Sequence, residues 1–126
     1  MKQVLDLHIH SPYSRACSPQ LTFKNIEKTC LEKGVDVIAT GDFTYPAWFQ
    51  AIKNELVETF VGSGLYLLNN STSDKIKFIL STEVALIYKD GEKVRRIHLV
   101  VHAPNLEAVA ELNKILDARF NIKSDG

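Results

Sequence analysis

Three apolar runs in this chain each deliver a histidine or a carboxylate at their end, and no other feature limits the fold so tightly. Val4 to His8 reads as a strand, with His10 two residues on. Val35 to Thr40 runs into Gly41-Asp42, and Ile76 to Thr82 runs into Glu83. Short apolar runs of this kind are the pattern of strands buried on both faces. Helical periodicity fills the gaps between them. Thr22 is placed to cap a helix that runs to Lys33, with Phe23, Ile26 and Cys30 on one face and Gly34 as its stop. Pro46 suits the first turn of a second helix whose buried stripe is Phe49, Ile52, Leu56 and Phe60. Pro104 and Asn105 open a third, with Leu106, Val109, Leu112 and Leu116 inward.

Between the second helix and the third run, Gly62 to Lys75 is weakly patterned and reads as a long connection. Ala85 to Tyr88 and Lys93 to Arg96 flank Asp90-Gly91, a hairpin signal, and Ile97 to His102 continues as another apolar strand. After Phe120 the chain turns polar, without a closing strand. Strand, helix, strand, helix, strand, hairpin, strand, helix is the grammar of an α/β protein with a parallel sheet. Such sheets gather functional groups at the C-terminal ends of their strands.

Composition excludes some alternatives. Fifteen basic residues balance fifteen acidic ones, so no bulk electrostatic grip on nucleic acid is implied. No apolar run approaches the roughly 18 residues of a membrane helix. The N-terminus places Asp6 and two histidines where a signal peptide needs apolar residues, which leads us to expect a cytoplasmic protein. Cys17 and Cys30 form no CxxC pair and read as free thiols of a reducing compartment.

The chemistry is concentrated at the strand ends. Alternation places Asp6, His8 and His10 on one face, with the two imidazoles about 7 Å apart along the strand. Asp42 and Glu83 follow apolar runs, where an unpaired carboxylate is expensive. His98 and His102 share a face with Val100. Each residue taken alone also has a bland reading, a turn aspartate or a satisfied core histidine. Together, imidazole and carboxylate ligands from several strand ends suit Zn²⁺, Mn²⁺ or Fe²⁺, and clustered ions of this kind cut phosphate esters. Arg15 and Arg96 are candidate phosphate binders, Arg96 rather than Arg95 falling on the side of His98. Tyr13, Tyr45 and Trp48 are candidates to stack on bases.

These segments resemble the motifs of the PHP (polymerase and histidinol phosphatase) family. Asp-Leu-His-Ile-His-Ser at 6–11 looks like its first motif, and Ala-Thr-Gly-Asp at 39–42 is similar to its second, usually Thr-Asp-His. Ser-Thr-Glu at 81–83 and Ile-His-Leu at 97–99 resemble the next two. The wording His-Ser-Pro-Tyr-Ser-Arg-Ala-Cys-Ser and Thr-Gly-Asp-Phe-Thr-Tyr-Pro-Ala-Trp is similar to the endonuclease Q branch. Many family members carry aspartate where this chain has Arg15 and histidine where it has Asp42.

The resemblance implies a distorted seven-stranded β/α barrel, with parallel strands, helices outside and a hairpin. It implies up to three divalent ions, and residues 1–126 then form the N-terminal portion of one PHP domain whose C-terminal part is absent. By the same resemblance, His8, His10, Asp42, Glu83 and His98 are metal ligands. Asp42 and Glu83 are the catalytic groups, and Arg15, Arg96 and Tyr13 bind substrate. Asp6 and His102 support the ligands from behind. The implied activity is cutting DNA beside deaminated or missing bases, lost in a chain this short for want of later ligands. The alternatives are a small-molecule phosphatase of the histidinol phosphatase type and a non-catalytic metal-binding fragment.

Overall fold

In a computed structural model, which describes residues 2–122, the chain forms a mixed α/β fold with a six-stranded sheet and three helices. The elements run β1 (Leu5–Asp6), α1 (Phe23–Lys33), β2 (Val37–Ala39), α2 (Pro46–Glu55), β3 (Leu56–Glu58), β4 (Tyr66–Leu68), β5 (Lys77–Asp90), β6 (Lys93–Ala103) and α3 (Leu106–Arg119). The helix punctuation follows the sequence. The Thr22 side chain accepts from the Asn25 N–H, Gly34 closes α1 in the left-handed conformation, and Pro46 sits in the first turn of α2. Asn105 caps α3 by accepting from the Ala108 N–H at 2.8 Å.

The sheet order is β1-β2-β5-β4-β3, with β6 paired to β5. Only β1, β2 and β5 are mutually parallel; β3, β4 and β6 run antiparallel to their partners. The expectation of a parallel sheet therefore holds for these three strands alone. The core lies between this centre and the helices, around Phe23, Ile38, Trp48, Ile52, Phe78 and Leu80. Phe23 stacks on Trp48 with ring centroids 4.3 Å apart and meets Phe78 edge-on. Trp48 is 3% exposed and its indole N–H donates to the Thr40 carbonyl, so it anchors the core and is not presented to a ligand. Truncating a buried aromatic such as Phe78 costs about 3–5 kcal/mol.

Four local expectations are corrected. The first strand is shorter than Val4 to His8 and is not buried: among the described residues β1 pairs only with β2 and lies at the sheet's edge, with Val4, Leu5 and Leu7 exposed. The second helix stops at Glu55, because Leu56 adopts extended backbone and begins β3, leaving Phe60 exposed. The weakly patterned stretch after it contains β4, whose Tyr66 to Leu68 pair with Glu58 to Leu56. The strands expected as Ile76 to Thr82 and Ala85 to Tyr88 are one strand, β5, and its hairpin partner β6 is likewise continuous. Glu83 consequently stands within a strand. It remains close beyond the stretch where β5 runs parallel to β2, which ends at the Ala39–Ile79 pair.

Candidate metal centre

Glu83 is the hub. The register of the hairpin sets Ala85 opposite His98 and Glu83 opposite Val100, so alternation puts Glu83 and His98 on one face as diagonal neighbours. The His98 Nδ1 lies 2.5 Å from Glu83 Oε1. The other carboxylate oxygen, Oε2, meets two more imidazoles: His8 through Nε2, and His10 through Nε2 at 3.2 Å. The His8 and His10 rings approach edge-on with centroids 5.1 Å apart. One ligand atom from each of His8, His10 and Glu83 falls within 4.8 Å of the others. Three histidines from two separate segments thus converge on both oxygens of one carboxylate.

Asp42 is placed beside this group by strained backbone. Gly41 and Asp42 both have positive φ, 69° and 46°. A Cβ on Gly41 would stand 2.3 Å from the Ile9 carbonyl oxygen, so only glycine lets the two chains cross there. Asp42 Oδ2 accepts from the Ser11 N–H and from the Ser14 hydroxyl, each at 2.6 Å, and Oδ1 lies 3.3 Å from His10 Nδ1. Ser81 ties the same turn down: its hydroxyl accepts from the Gly41 N–H, and its own N–H donates to Thr40 Oγ1. Ser11, Ser14 and Ser81 were not singled out from the sequence. The spacing His-Ser-x-x-Ser at 10–14 is the one signal that pointed toward the first two.

Electrostatics agree with these contacts. Burial pushes the Glu83 carboxyl up, but hydrogen bonds with His98 and His8 and the nearness of His8 and His10 outweigh it and hold the group below its ordinary value. Burial likewise pushes Asp42 up. The Ser11 and Ser14 hydrogen bonds, with His10 nearby, outweigh it, so Asp42 too is held ionised.

The remaining candidates spread around the centre. His102 donates from Nε2 to the Leu7 carbonyl at 2.9 Å and does not touch Glu83's cluster. Asp6 accepts from the His8 backbone N–H at 3.3 Å and also stands near Cys30, outside the cluster. Arg96 pairs with Ile87 in the hairpin, which puts it on the face of His98, whereas Arg95 is engaged with Asp90 at 3.4 Å. Arg15 is exposed in the loop after Ser14. Tyr13 is exposed and stacks on Tyr45 with centroids 4.7 Å apart. An open cleft of about 550 Å³ is lined by both tyrosines together with His10, Asp42, Glu83 and His98. Its size is that of a small-molecule or nucleotide site.

The donor set suits a cation. Imidazole nitrogens and carboxylate oxygens offer lone pairs, and placing several of them together is costly unless protons or a metal ion lie between. Nitrogen with oxygen ligands fits Zn²⁺, Mn²⁺ or Fe²⁺. His8, His10, His98 and Glu83 are the residues that would hold such an ion.

Comparison with known proteins brings in a class and then particular proteins. The fold is similar to that of DNA endonucleases specific for lesions. One is Endonuclease Q, solved in complex with a 27-mer duplex substrate carrying an abasic lesion at the active site: TM-score 0.76 and 32% identity, covering 97% of this chain and 28% of that one. Another is the lesion-specific endonuclease of Pyrococcus furiosus, with TM-score 0.74 and 30% identity over 96% of this chain and 27% of that one. An uncharacterised protein of Methanocaldococcus jannaschii is 31% identical over 112 residues, 89% of this chain and 11% of that protein. The chain therefore spans little more than a quarter of the solved relatives and about a tenth of the curated one. No family model matches it. Among the described residues, no helix is long and apolar enough to cross a membrane.

Proposed function

We propose that this chain carries the first part of the metal centre of a DNA endonuclease acting at abasic or deaminated sites, within a barrel of the PHP kind. The observation that carries the proposal is the convergence of His8, His10 and His98 on the two oxygens of Glu83, in a fold similar to Endonuclease Q. His8, His10 and Glu83 would hold a divalent ion, with His98 on the other oxygen of Glu83 as a further ligand. Bound there, such ions polarise a phosphodiester and supply a hydroxide near neutral pH. Glu83 keeps the centre anionic and fixes the spacing of the imidazoles. Arg96, on the same face, is set to hold a flanking phosphate, and Arg15, exposed in the loop after Ser14, is a second candidate. The Tyr13–Tyr45 pair offers a stacking surface within the same cleft. The net charge of zero leaves backbone affinity to such local groups and to the rest of a longer polypeptide.

The centre is completed by ligands from a further portion of the domain, so the 126 residues alone bind metal but do not cut. The test is to graft this chain in place of the matching segment of the Pyrococcus furiosus endonuclease. With Mn²⁺ or Zn²⁺, the graft is expected to nick a duplex carrying an abasic site or deoxyuridine, and to lose nicking when Glu83→Gln is introduced. A graft that folds and hydrolyses a small phosphate monoester but leaves the damaged duplex intact would overturn the substrate class. If the 126-residue chain retains no divalent ion on dialysis, the metal centre itself is refuted.

A further inference from the structure

The β5–β6 hairpin sorts its charges by face. Alternation and register put Glu83, His98, Arg96 and Lys89 on one face, with Ala85 opposite His98, Ile87 opposite Arg96 and Val94 opposite Lys89. The other face carries Leu86, Tyr88, Ile97 and Leu99, and its arginine is answered there, since Arg95 lies 3.4 Å from Asp90. Between Glu83 and the turn at Gly91 the first face holds no carboxylate. Arg96 and Lys89 are both exposed on it, and neither has a hydrogen-bond or ion-pair partner among the described residues.

The spacing is regular. His98 and Arg96 stand two residues apart on β6, about 7 Å. Lys89 is the diagonal neighbour of Arg96 across the ladder, roughly 7–8 Å away. The two cations therefore continue a line from His98 toward Gly91, in steps comparable to the separation of successive phosphates on an extended nucleic-acid strand. A segment of polypeptide laid over this face would bury two unpaired cations, which is costly. Such a segment fits the other face, where Leu86, Tyr88, Ile97 and Leu99 are exposed. A polyanion fits the first, because each cation meets an opposite charge and condensed counterions are released.

We propose that the Glu83 face of the hairpin is a phosphate track, on which Arg96 and then Lys89 hold successive phosphates of a DNA strand running from Glu83 and His98 toward Gly91. Ile87 and Val94, exposed beside them, lie against the deoxyribose rings. The track rests on the DNA reading above and extends it from one flanking phosphate to a strand; it does not depend on a metal ion.

The test uses the 126-residue chain in EDTA with a fluorescein-labelled duplex carrying an abasic site, its anisotropy titrated between about 20 and 100 mM salt. Wild type is expected to bind. Each phosphate contact contributes about 0.9 to the slope of log affinity against log salt, so Arg96→Ala and Lys89→Ala should each make the slope shallower by about 1, and the double variant by about 2. Arg96→Lys keeps the charge and should keep the slope. Lys93→Ala with Arg95→Ala removes the same charge from the other face and should leave the slope unchanged. All four side chains are exposed, and thermal unfolding checks that the variants fold; Arg96→Gln with Lys89→Gln replaces any alanine variant that does not. A double variant with the wild-type slope, or equal losses from both faces, overturns the track, as does a wild type that binds no DNA at the lowest salt. So does a double variant that loses self-association and not DNA binding, since the face then joins two copies of this chain. A chain that binds DNA along the track, while the graft described above fails to nick it, leaves the track standing and removes the nicking activity.

Discussion

His102 hydrogen-bonds the carbonyl of Leu7 across 95 residues of sequence, at 2.9 Å. The contact fastens β6 to the backbone immediately before His8, so His102 helps set the position of a histidine that faces Glu83. His102→Ala should therefore leave the metal count unchanged. It should lower stability by about 1 kcal/mol, the net worth of one hydrogen bond, and loosen metal binding modestly. Metal analysis after dialysis checks this; loss of a full equivalent would make His102 a ligand.

Glu83→Gln tests the hub. The amide keeps the shape of the side chain but removes the charge that three imidazoles share. Divalent-ion affinity should fall at least tenfold, in line with the loss of an anionic first ligand. Isothermal titration with Zn²⁺ reads it directly, and affinity within twofold of wild type would refute Glu83 as a ligand.

Much of this site could be read from the sequence, because alternation is a strict rule once a strand is present. It put His98 on the face of Val100 and sorted Arg96 from Arg95 without any coordinates; that Glu83 shares this face follows from the hairpin register of the structure. The Thr22 cap, the Gly34 stop and the Asp90-Gly91 hairpin were equally local and equally legible. What failed was nonlocal. Leu56 fits a helical stripe by period, yet pairing with Leu68 draws it into β3. Val4, Leu5 and Leu7 look like a buried strand, yet burial depends on a neighbour that β1 does not have in the described sheet. The serines around Asp42 were invisible for another reason: their role depends on two loops meeting at Gly41.

That crossing makes Gly41 far less tolerant than Gly34, although both have positive φ. Gly34 has nothing within 4 Å of an added Cβ, so Gly34→Ala should cost roughly 1–2 kcal/mol from the left-handed backbone alone. Gly41→Ala meets the Ile9 carbonyl oxygen at 2.3 Å and must displace the segment that carries His10. We expect a loss on the order of 4 kcal/mol together with loss of metal binding. Equal unfolding midpoints for the two variants would contradict the close approach.

The two cysteines should differ in reactivity and in their link to pH. Burial chiefly, then the nearby Asp6 and Glu27, push the Cys30 thiol above its ordinary value, whereas Cys17 is partly exposed. At about pH 8 a thiol reagent should label Cys17 first. The sign for stability follows from the same shift. Below the unfolded thiol's pKa both states are neutral and Cys30 contributes nothing. As pH rises past roughly 9 the unfolded thiol ionises first and folded stability declines. Cys30→Ala should therefore lose less stability than wild type between about pH 8 and pH 10 in chemical unfolding. An identical alkaline loss in both would show that Cys30 is not shifted.

The surfaces around the sheet set how the 126-residue chain behaves alone. Among the described residues, β1 pairs only with β2, and beyond its parallel stretch β5 pairs only with β6, leaving apolar side chains exposed on both faces of the hairpin. Leu86 and Leu99 stand exposed on one face, and Ile87 and Val100 on the face of Glu83 and His98. An unpaired edge beside such patches is a template for association. Sedimentation should show concentration-dependent self-association, reduced by Leu86→Lys combined with Leu99→Lys. Association covers the edges without adding ligands beside His98, so no nicking of an abasic duplex is expected with Mn²⁺ or Zn²⁺. A monomer that unfolds cooperatively and nicks such DNA as fast as the Pyrococcus furiosus endonuclease would show that the centre is complete within these residues.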